Sequence, residues 1–150
     1  MTTKPTRGVR SNNPGNIDFN PRNEWQGQLG LEEGVKTPRF ARFDSPENGI
    51  RALAKLLINY RGKDGMPGVG GKGIDTVRET ISRWAPGTEN DTESYIKAVA
   101  RAVGVEPNEP IDMKVPAVLL ALTNGIIKHE NGGNPYAPAI VAEGVRRALV

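Results

Sequence analysis

The chain is 150 residues long, mildly basic with a net charge of +3, and contains no cysteine and one histidine. This length can bury one sizeable core, so we predict a single domain over residues 1–150. The composition excludes disulfides, cysteine nucleophiles and a His/Cys zinc site, and without an EF-hand spacing of carboxylates we predict no metal and no other cofactor.

The first residues, MTTKPTRGVRSNNPGN, lack the apolar segment of a signal peptide, and no run of 18 or more apolar residues occurs along the chain. We therefore predict synthesis in a cytoplasm and no membrane insertion. Any action outside that compartment then requires another export route.

The N-terminal part of the chain, residues 1–44, is rich in Asn, Pro and Gly and predicts loops with a small hairpin from Asn16 to Leu29. A helix is predicted from Ser45, a favourable N-cap followed by Pro46, to about Tyr60. Its apolar face is formed by residues at helical spacing: Ile50, Leu53, Ala54, Leu57 and Ile58.

The next segment, residues 61–73, holds six glycines and one proline and predicts a flexible loop, with a lid beside a groove as an alternative. It is not a Walker A loop. Met66 and Gly73 stand where that motif needs a glycine and a Ser or Thr.

Four further helices are predicted towards the C-terminus. They begin near Asp75, after Asp91, after Asp112 and at Pro138, and the second of these ends at a Gly104 cap. Pro86 is predicted to stop the first of them. The inward positions are Val77, Ile81 and Trp84, then Tyr95, Ile96, Val99 and Val103, then Val115, Leu119, Leu122 and Ile126, and finally Ile140, Val141, Val145 and Leu149. Five helices and one small β element predict a mainly helical α+β domain.

The two tryptophans lie in different contexts. Trp84 sits on an apolar helix face and is predicted to be core. Trp25 lies in the polar segment NPRNEWQGQLG, so its indole either stacks on sugars or bases in an open groove or covers the edge of the core.

Elimination of other nucleophiles points any catalysis to carboxylates. His129 has no nucleophile-elbow motif to partner it, which leaves Asp and Glu, the residues of glycoside cleavage. Glu130 lies one helical turn beyond Ile126 and Ile127, where it can be partly shielded. From position alone, a solvated helix end is the favoured interpretation of Glu130 and a proton donor is the alternative.

The string IIKHENGGNPYA, residues 126–137, resembles the catalytic-helix motif of lytic transglycosylases in the lysozyme-like superfamily. Asn131 stands where that motif has a serine. The resemblance implies that Glu130 is the catalytic acid/base, and we also predict that Asn131 and Asn134 bind substrate. The matching residues are Ile126, Ile127, Glu130, Gly132, Gly133, Asn134, Pro135 and Ala137.

A second set of strings is similar to the glucosaminidase family typified by the flagellar muramidase domain. These strings are NPGNIDFN, RFARFDSPENGIRALAKLL and DTESYIKAVA. The similarity implies a substrate-binding hairpin carrying Asn16 and Ile17, with Tyr95 in the active site, and we also predict that Asn13 binds substrate. It also assigns Phe40, Phe43 and Ser45 to the turn that opens a helix, and we add Trp25 to the predicted substrate-binding residues.

The whole chain also resembles small phage-encoded proteins that begin with RG[VI]RxNNPGNI and end with HENG. Such proteins are labelled endolysins or virion structural proteins. In the lysozyme-like superfamily the catalytic Glu precedes the hairpin, but no acidic residue precedes Asn16 here. We therefore predict a circularly permuted lysozyme-like fold in which Glu130 lies near Asn16 and Tyr95. Chain termini tend to lie close together at the surface of a domain, so the same packing can survive when the chain begins at a different point.

These resemblances imply cleavage of the β-1,4 bond between N-acetylmuramic acid and N-acetylglucosamine in peptidoglycan. Glu130 is the one acid that a motif identifies. Because no motif identifies a second carboxylate, lytic transglycosylation is favoured over hydrolysis. A monomer is predicted to act on glycan strands of the periplasmic cell wall, after release by a holin or as a virion component. Candidates for a second carboxylate are Asp18, Glu24, Glu32 and Glu33.

Two alternatives stay open at this stage. One is a non-enzymatic virion protein that keeps the fold as a structural or wall-binding part. The other is a small basic nucleic-acid binder, but no nucleic-acid motif accompanies the scattered Lys and Arg residues, and nucleic acid is not a predicted partner.

Overall fold

Six α-helices and one two-stranded antiparallel sheet make up the part of the chain described by the computed structural model, residues 5–85 and 91–150. This architecture confirms the predicted mainly helical α+β class. No helix within these two ranges is long and apolar enough to cross a membrane. In chain order the elements are α1 Arg7–Arg10, β1 Gln28–Leu31, β2 Ala41–Phe43, α2 Pro46–Asn59 with a 3-10 turn at Tyr60–Gly62, α3 Val77–Trp84, α4 Thr92–Val103, α5 Pro116–Asn131 and α6 Pro138–Leu149.

Local capping residues set several of the predicted helix ends. The Ser45 hydroxyl accepts a hydrogen bond from the Asn48 N–H at the start of α2, and Asp91 caps α4 in the same way. Gly104 ends α4 in the left-handed conformation, with φ of 83°. These three boundaries are therefore confirmed, and Pro86, predicted to stop α3, lies outside the described residues.

Helix α5 begins later than the sequence pattern predicts. The Asp112 carboxylate accepts a hydrogen bond from the Lys114 N–H, and its carbonyl accepts one from Val115, so these residues form a separate turn. The helix then starts at Pro116. Val115, predicted to point inward, is 43% exposed as a result, and that prediction was wrong.

The sheet is displaced from the predicted hairpin. Strands β1 and β2 pair antiparallel, with Gln28 opposite Phe43 and Leu31 opposite Ala41. The Ile17 carbonyl accepts a hydrogen bond from the Ala41 N–H, so the beginning of the predicted hairpin also lies against the β2 segment. The hairpin prediction for Asn16 to Leu29 was wrong in its bounds, because both of its arms pair with residues 39–43 and not with each other.

Helix α2 is the centre of the core and packs against α5 and α6. The large side chains of its inward face, Ile50, Leu53 and Leu57, are completely buried. On the same helix, a Cβ at Gly49 would lie 1.6 Å from the Asn12 carbonyl oxygen, so only glycine allows the N-terminal loop to approach this closely. Burial of α2 therefore fixes the loop that precedes residue 17.

Hydrogen bonds hold the glycine-rich segment between α2 and α3. The buried Glu79 carboxylate accepts hydrogen bonds from the Met66 N–H at 2.8 Å and the Asp75 N–H at 3.2 Å. Arg61 donates to the Lys72 carbonyl across the segment. The loop predicted from composition is thus present, with a defined set of internal contacts.

Candidate active site

The loop that precedes the sheet is built by asparagine side chains. Asn12 and Asn16 have φ of 54° and 52°, a left-handed conformation that asparagine adopts more readily than most residues. Between them, Asn13 is completely buried. Its amide donates to the carbonyls of Ile17 and Ala41 and accepts from the Ile17 N–H. Asn13 was predicted to bind substrate, but its burial leaves it holding the loop and out of reach of a ligand.

The shaped loop places Asn16 beside Glu130. The Asn16 Nδ2 donates a hydrogen bond of 3.0 Å to Glu130 Oε1. Glu130 lies in the last turn of α5, which ends at Gly132 with φ of 69°, and its side chain is only partly exposed. The helix end is therefore not simply solvated, because the N-terminal loop covers one side of the carboxylate.

Asn131 ties the same two segments together. Its Nδ2 donates to the Pro14 carbonyl and to the Ile127 carbonyl, each at 2.8 Å. Its Oδ1 accepts from the Thr6 hydroxyl. Asn131 was predicted to bind substrate, but all these contacts are internal, so its amide holds the N-terminal loop against α5 and positions Asn16.

Tyr95 lies in the protein interior near Glu130. Its side chain is completely buried, and its ring stacks on that of His129 with centroids 3.8 Å apart. Burial raises the pKa of the Tyr95 hydroxyl, and the nearby Glu130 carboxylate raises it further. Within the described part of the chain this hydroxyl has no hydrogen-bond partner of normal geometry. Tyr95 was predicted in the active site, and the structure puts it behind Glu130, where it cannot touch a ligand directly.

Glu130 opens onto a groove formed by two adjoining pockets of about 610 and 740 Å³, which we call the Glu130 groove. Five residues line both pockets and so make them continuous: Asn20, Asn23, Leu56, Tyr60 and Arg83. The first pocket also holds Asn16, Ile17, Trp84 and Glu130. Trp25 and Lys63 line the second.

Trp25 and Asn134 were both predicted to bind substrate, but only Trp25 lines the groove. Trp25 is partly buried at the far end of the groove, where its Nε1 has no partner among the described residues. Asn134 is exposed and donates to Asn124, and it does not line either pocket. The structure thus brings together Asn16, Ile17, Trp25 and Glu130 along one groove and leaves Asn134 outside it.

One of the four candidate second carboxylates lines the groove. Asp18 does so, and it is paired with Arg39. Glu32 is buried and bound to Arg7, and this hydrogen bond lowers its pKa to about 2. Glu24 and Glu33 are exposed and line neither pocket. Within residues 5–85 and 91–150, no group of three or more His, Asp or Glu side chains could hold a metal ion.

Tyr60, Lys63 and Arg83 are among the groove residues that the sequence patterns missed. They come from the end of α2, from the segment after it and from the last turn of α3. Trp84, predicted to be core, is only partly buried and lines the groove, with its ring 6.4 Å from that of Tyr60. The available signal was an aromatic residue at the end of α2, Tyr60, and another at the end of α3, Trp84, but the contact of these two rings depends on tertiary packing.

Comparison with known proteins gives one informative relative. Protein P5 of Pseudoalteromonas phage PM2 is 39% identical over 133 residues, which cover 87% of this chain and 74% of that protein. No protein-family model matches the chain.

Proposed function

The chain belongs to the family of protein P5 of Pseudoalteromonas phage PM2, and on this premise we propose that it is a phage enzyme that cleaves peptidoglycan. The relationship supports the predicted bacteriophage context. The observation that carries the proposal is the partly buried Glu130, which opens onto a continuous groove and is held on one side by Asn16. A partly shielded carboxyl group beside a groove is suited to the general-acid role in glycoside cleavage.

In the proposed reaction, Glu130 protonates the oxygen of the β-1,4 bond between N-acetylmuramic acid and N-acetylglucosamine. The C–O bond at the muramic acid then breaks, and the sugar carries positive charge at its anomeric carbon. Glu130, now ionised, accepts the proton of the C6 hydroxyl of the same muramic acid, and that oxygen closes a 1,6-anhydro ring. Asn16 limits rotation of the carboxylate by holding one of its oxygens.

The ion pair of Asp18 favours this transglycosylation over hydrolysis. Asp18 is the predicted second carboxylate that lines the groove, and its contacts with Arg39 engage both of its oxygens. A hydrolase of the inverting class needs a carboxylate free to activate water. With Asp18 engaged, Glu130 serves both proton transfers, and the substrate supplies its own nucleophile.

The proposed fold is a lysozyme-like domain that is circularly permuted. Its support is the contact of the two ends of the chain. Asn131, after the catalytic Glu130, binds the Pro14 carbonyl of the N-terminal loop. A permuted chain places the catalytic helix after the substrate loop in sequence and beside it in space. The enzyme is proposed to act as a monomer on the bacterial cell wall during infection, either from the virion or after release by a holin.

The test is lysis of outer-membrane-permeabilised bacteria by the purified wild type and by Glu130→Gln. We expect the substitution to abolish the fall in turbidity while circular dichroism stays unchanged. Glu106→Gln, an exposed substitution of the same type away from the groove, is the matched control and should lyse as the wild type does. Mass spectrometry should find 1,6-anhydro-muramic acid ends, and free reducing ends alone would replace the transglycosylase with a hydrolase.

A wild type that releases no soluble fragments would contradict the enzymatic proposal. In that case the alternative, a non-enzymatic virion protein that binds the wall, gains support if the protein still co-sediments with peptidoglycan. The relative is named only as a phage protein, which is compatible with either role.

A further inference from the structure

The Glu130 groove carries charged side chains along its length. The pocket that opens at Glu130 also holds Asp18 and Arg39, which form an ion pair. Lys63 lies in the other pocket beside the ring of Trp25, and Arg83 lines both pockets beside the ring of Tyr60. A ligand that extends from Glu130 along the groove therefore reaches Arg83 and then Lys63.

The two cations differ from the other groove arginine in having no anionic partner. Arg39 is paired with Asp18, whereas neither Lys63 nor Arg83 has a carboxylate partner among residues 5–85 and 91–150. The guanidinium of Arg83 instead lies 5.4 Å from the centre of the Tyr60 ring. Stacking on an aromatic face orients a guanidinium and leaves its N–H groups available to an acceptor.

An aromatic ring lies beside these cations. Trp25 lines the pocket with Lys63 and Arg83 and is partly buried, and its Nε1 is the buried part of the side chain. The face of an indole stacks well on a sugar ring, so Trp25 can hold the strand next to the two cations. Two cations with no carboxylate partner among the described residues thus lie beside an aromatic ring in this groove.

We propose that Lys63 and Arg83 bind a carboxylate of the peptidoglycan strand and thereby set which bond reaches Glu130. This inference rests on the proposed function, since it takes peptidoglycan as the substrate. The sugar rings themselves are uncharged. The lactyl carboxyl of muramic acid forms the amide bond to the stem peptide, so the free carboxylates lie on that peptide and, where the peptide is absent, on the lactyl group. A guanidinium with an ammonium group recognises a carboxylate by charge-assisted hydrogen bonds. Because only alternate sugars bear these acids, anchoring one of them selects the bond after muramic acid.

The experiment measures binding without cleavage. Glu130→Gln protein is co-sedimented with insoluble peptidoglycan at low ionic strength, with and without the added pair Lys63→Gln and Arg83→Gln. Removing both cations should weaken binding by about tenfold. The matched control removes the same two charge types from the exposed face of α4, with Lys97→Gln and Arg101→Gln, and should change binding less than twofold.

Three forms of the polymer identify the carboxylate. They are untreated peptidoglycan, strands whose stem peptides an amidase has removed, and peptidoglycan whose carboxylates have been converted to amides with carbodiimide and ammonia. The amidase also frees the lactyl carboxylates, which are amide-linked in peptide-bearing strands. If the site requires the stem peptide, the effect of Lys63→Gln and Arg83→Gln disappears on the peptide-free strands. If the site also accepts a lactyl carboxylate, the effect persists there. In both cases it disappears on the amidated polymer.

Equal binding of the groove pair and the control pair to untreated peptidoglycan would overturn the inference. So would a loss of binding in the groove pair that is still seen on the amidated polymer. A Glu130→Gln protein that does not bind peptidoglycan would also overturn it. Cleavage by the wild type is measured separately on the same preparations. Cleavage that depends on Glu130 together with unchanged binding in the groove pair removes the carboxylate site and leaves the proposed function standing. If the wild type does not cleave but the groove pair loses binding, the proposed function fails and the carboxylate site stands.

Discussion

Asn16 and Glu130 are 114 residues apart in the chain, and the Asn16 amide donates a hydrogen bond of 3.0 Å to the Glu130 carboxylate. The contact depends on a positive φ at Asn16 and on the Asn131 amide that holds the preceding loop against α5. The catalytic candidate is therefore positioned by two asparagines from opposite ends of the sequence. Each of them can be tested apart from Glu130.

Replacing Asn16 separates its amide from its backbone conformation. Asn16→Ala should lower the rate of peptidoglycan cleavage about 10- to 100-fold, because Glu130 loses the donor that orients it. It should also destabilise the protein by about 1 kcal/mol, since alanine disfavours positive φ. Asn16→Gly should restore the stability but not the rate. Thermal unfolding and release of soluble fragments measure the two effects, and Asn134→Ala, at an exposed asparagine that lines neither pocket, is the control. A wild-type rate in both variants would contradict a positioning role for Asn16.

Gly8 is required because α1 packs directly under the Asn16 loop. A Cβ at Gly8 would lie 2.5 Å from the Asn13 carbonyl oxygen and 2.5 Å from Asn16 Oδ1. Gly8→Ala should therefore displace the loop, destabilise the protein by roughly 1–3 kcal/mol and reduce cleavage. Urea unfolding and the lysis assay measure these changes. Gly62→Ala, where an added Cβ meets no atom within 4 Å, should change neither, and equal behaviour of the two variants would refute the close packing.

Most of the helices could be predicted because their signals are local. Ser45, Asp91 and Gly104 act within a turn of their own position, and the structure shows all three in the predicted capping roles. The sheet could not be located in the same way. Ile17 pairs with Ala41 across more than twenty intervening residues, and no turn motif at either end indicates that partner.

The candidate site was predictable only in part for the same reason. Glu130 and Asn16 lie in distinctive strings, so each could be chosen from sequence and their meeting expected. The groove cations Lys63 and Arg83 could not, because they lie in segments whose patterns indicate a loop and a helix and nothing more. Asn13 shows the opposite error, since its string is distinctive but its side chain is buried.

Glu32 makes the stability of the fold depend on pH. Its carboxylate is buried against Arg7 and also accepts from the Arg39 and Phe40 N–H groups, which lowers its pKa from 4.5 to about 2. A depressed folded-state pKa contributes stability that is fully present well above pH 4.5 and is lost as the pH falls towards 2. The free energy of unfolding should therefore decrease with acid across that interval, as urea titrations at successive pH values will measure.

The matched pair for this prediction is Glu32→Gln and Glu33→Gln. Glu32→Gln should lower the free energy of unfolding at pH 7 by roughly 1.5–3 kcal/mol and flatten its dependence on acid, because the ion pair with Arg7 is lost. The Glu33 side chain is 76% exposed beside Arg42, so its substitution should have little effect. An unchanged acid profile in Glu32→Gln would show that other groups cause the loss of stability.

Tyr95 should influence catalysis through Glu130 and not through the substrate. Its hydroxyl is buried without a hydrogen-bond partner among the described residues, so Tyr95→Phe should leave the stability unchanged or raise it. The same substitution should lower kcat about tenfold with KM unchanged, because it removes a dipole next to the Glu130 charge and touches no ligand. Tyr136 is the control, because its hydroxyl is also buried without a hydrogen-bond partner among the described residues and the residue does not line the groove. Tyr136→Phe should therefore keep the wild-type kcat. An equal kcat in the two variants would make Tyr95 a packing residue only.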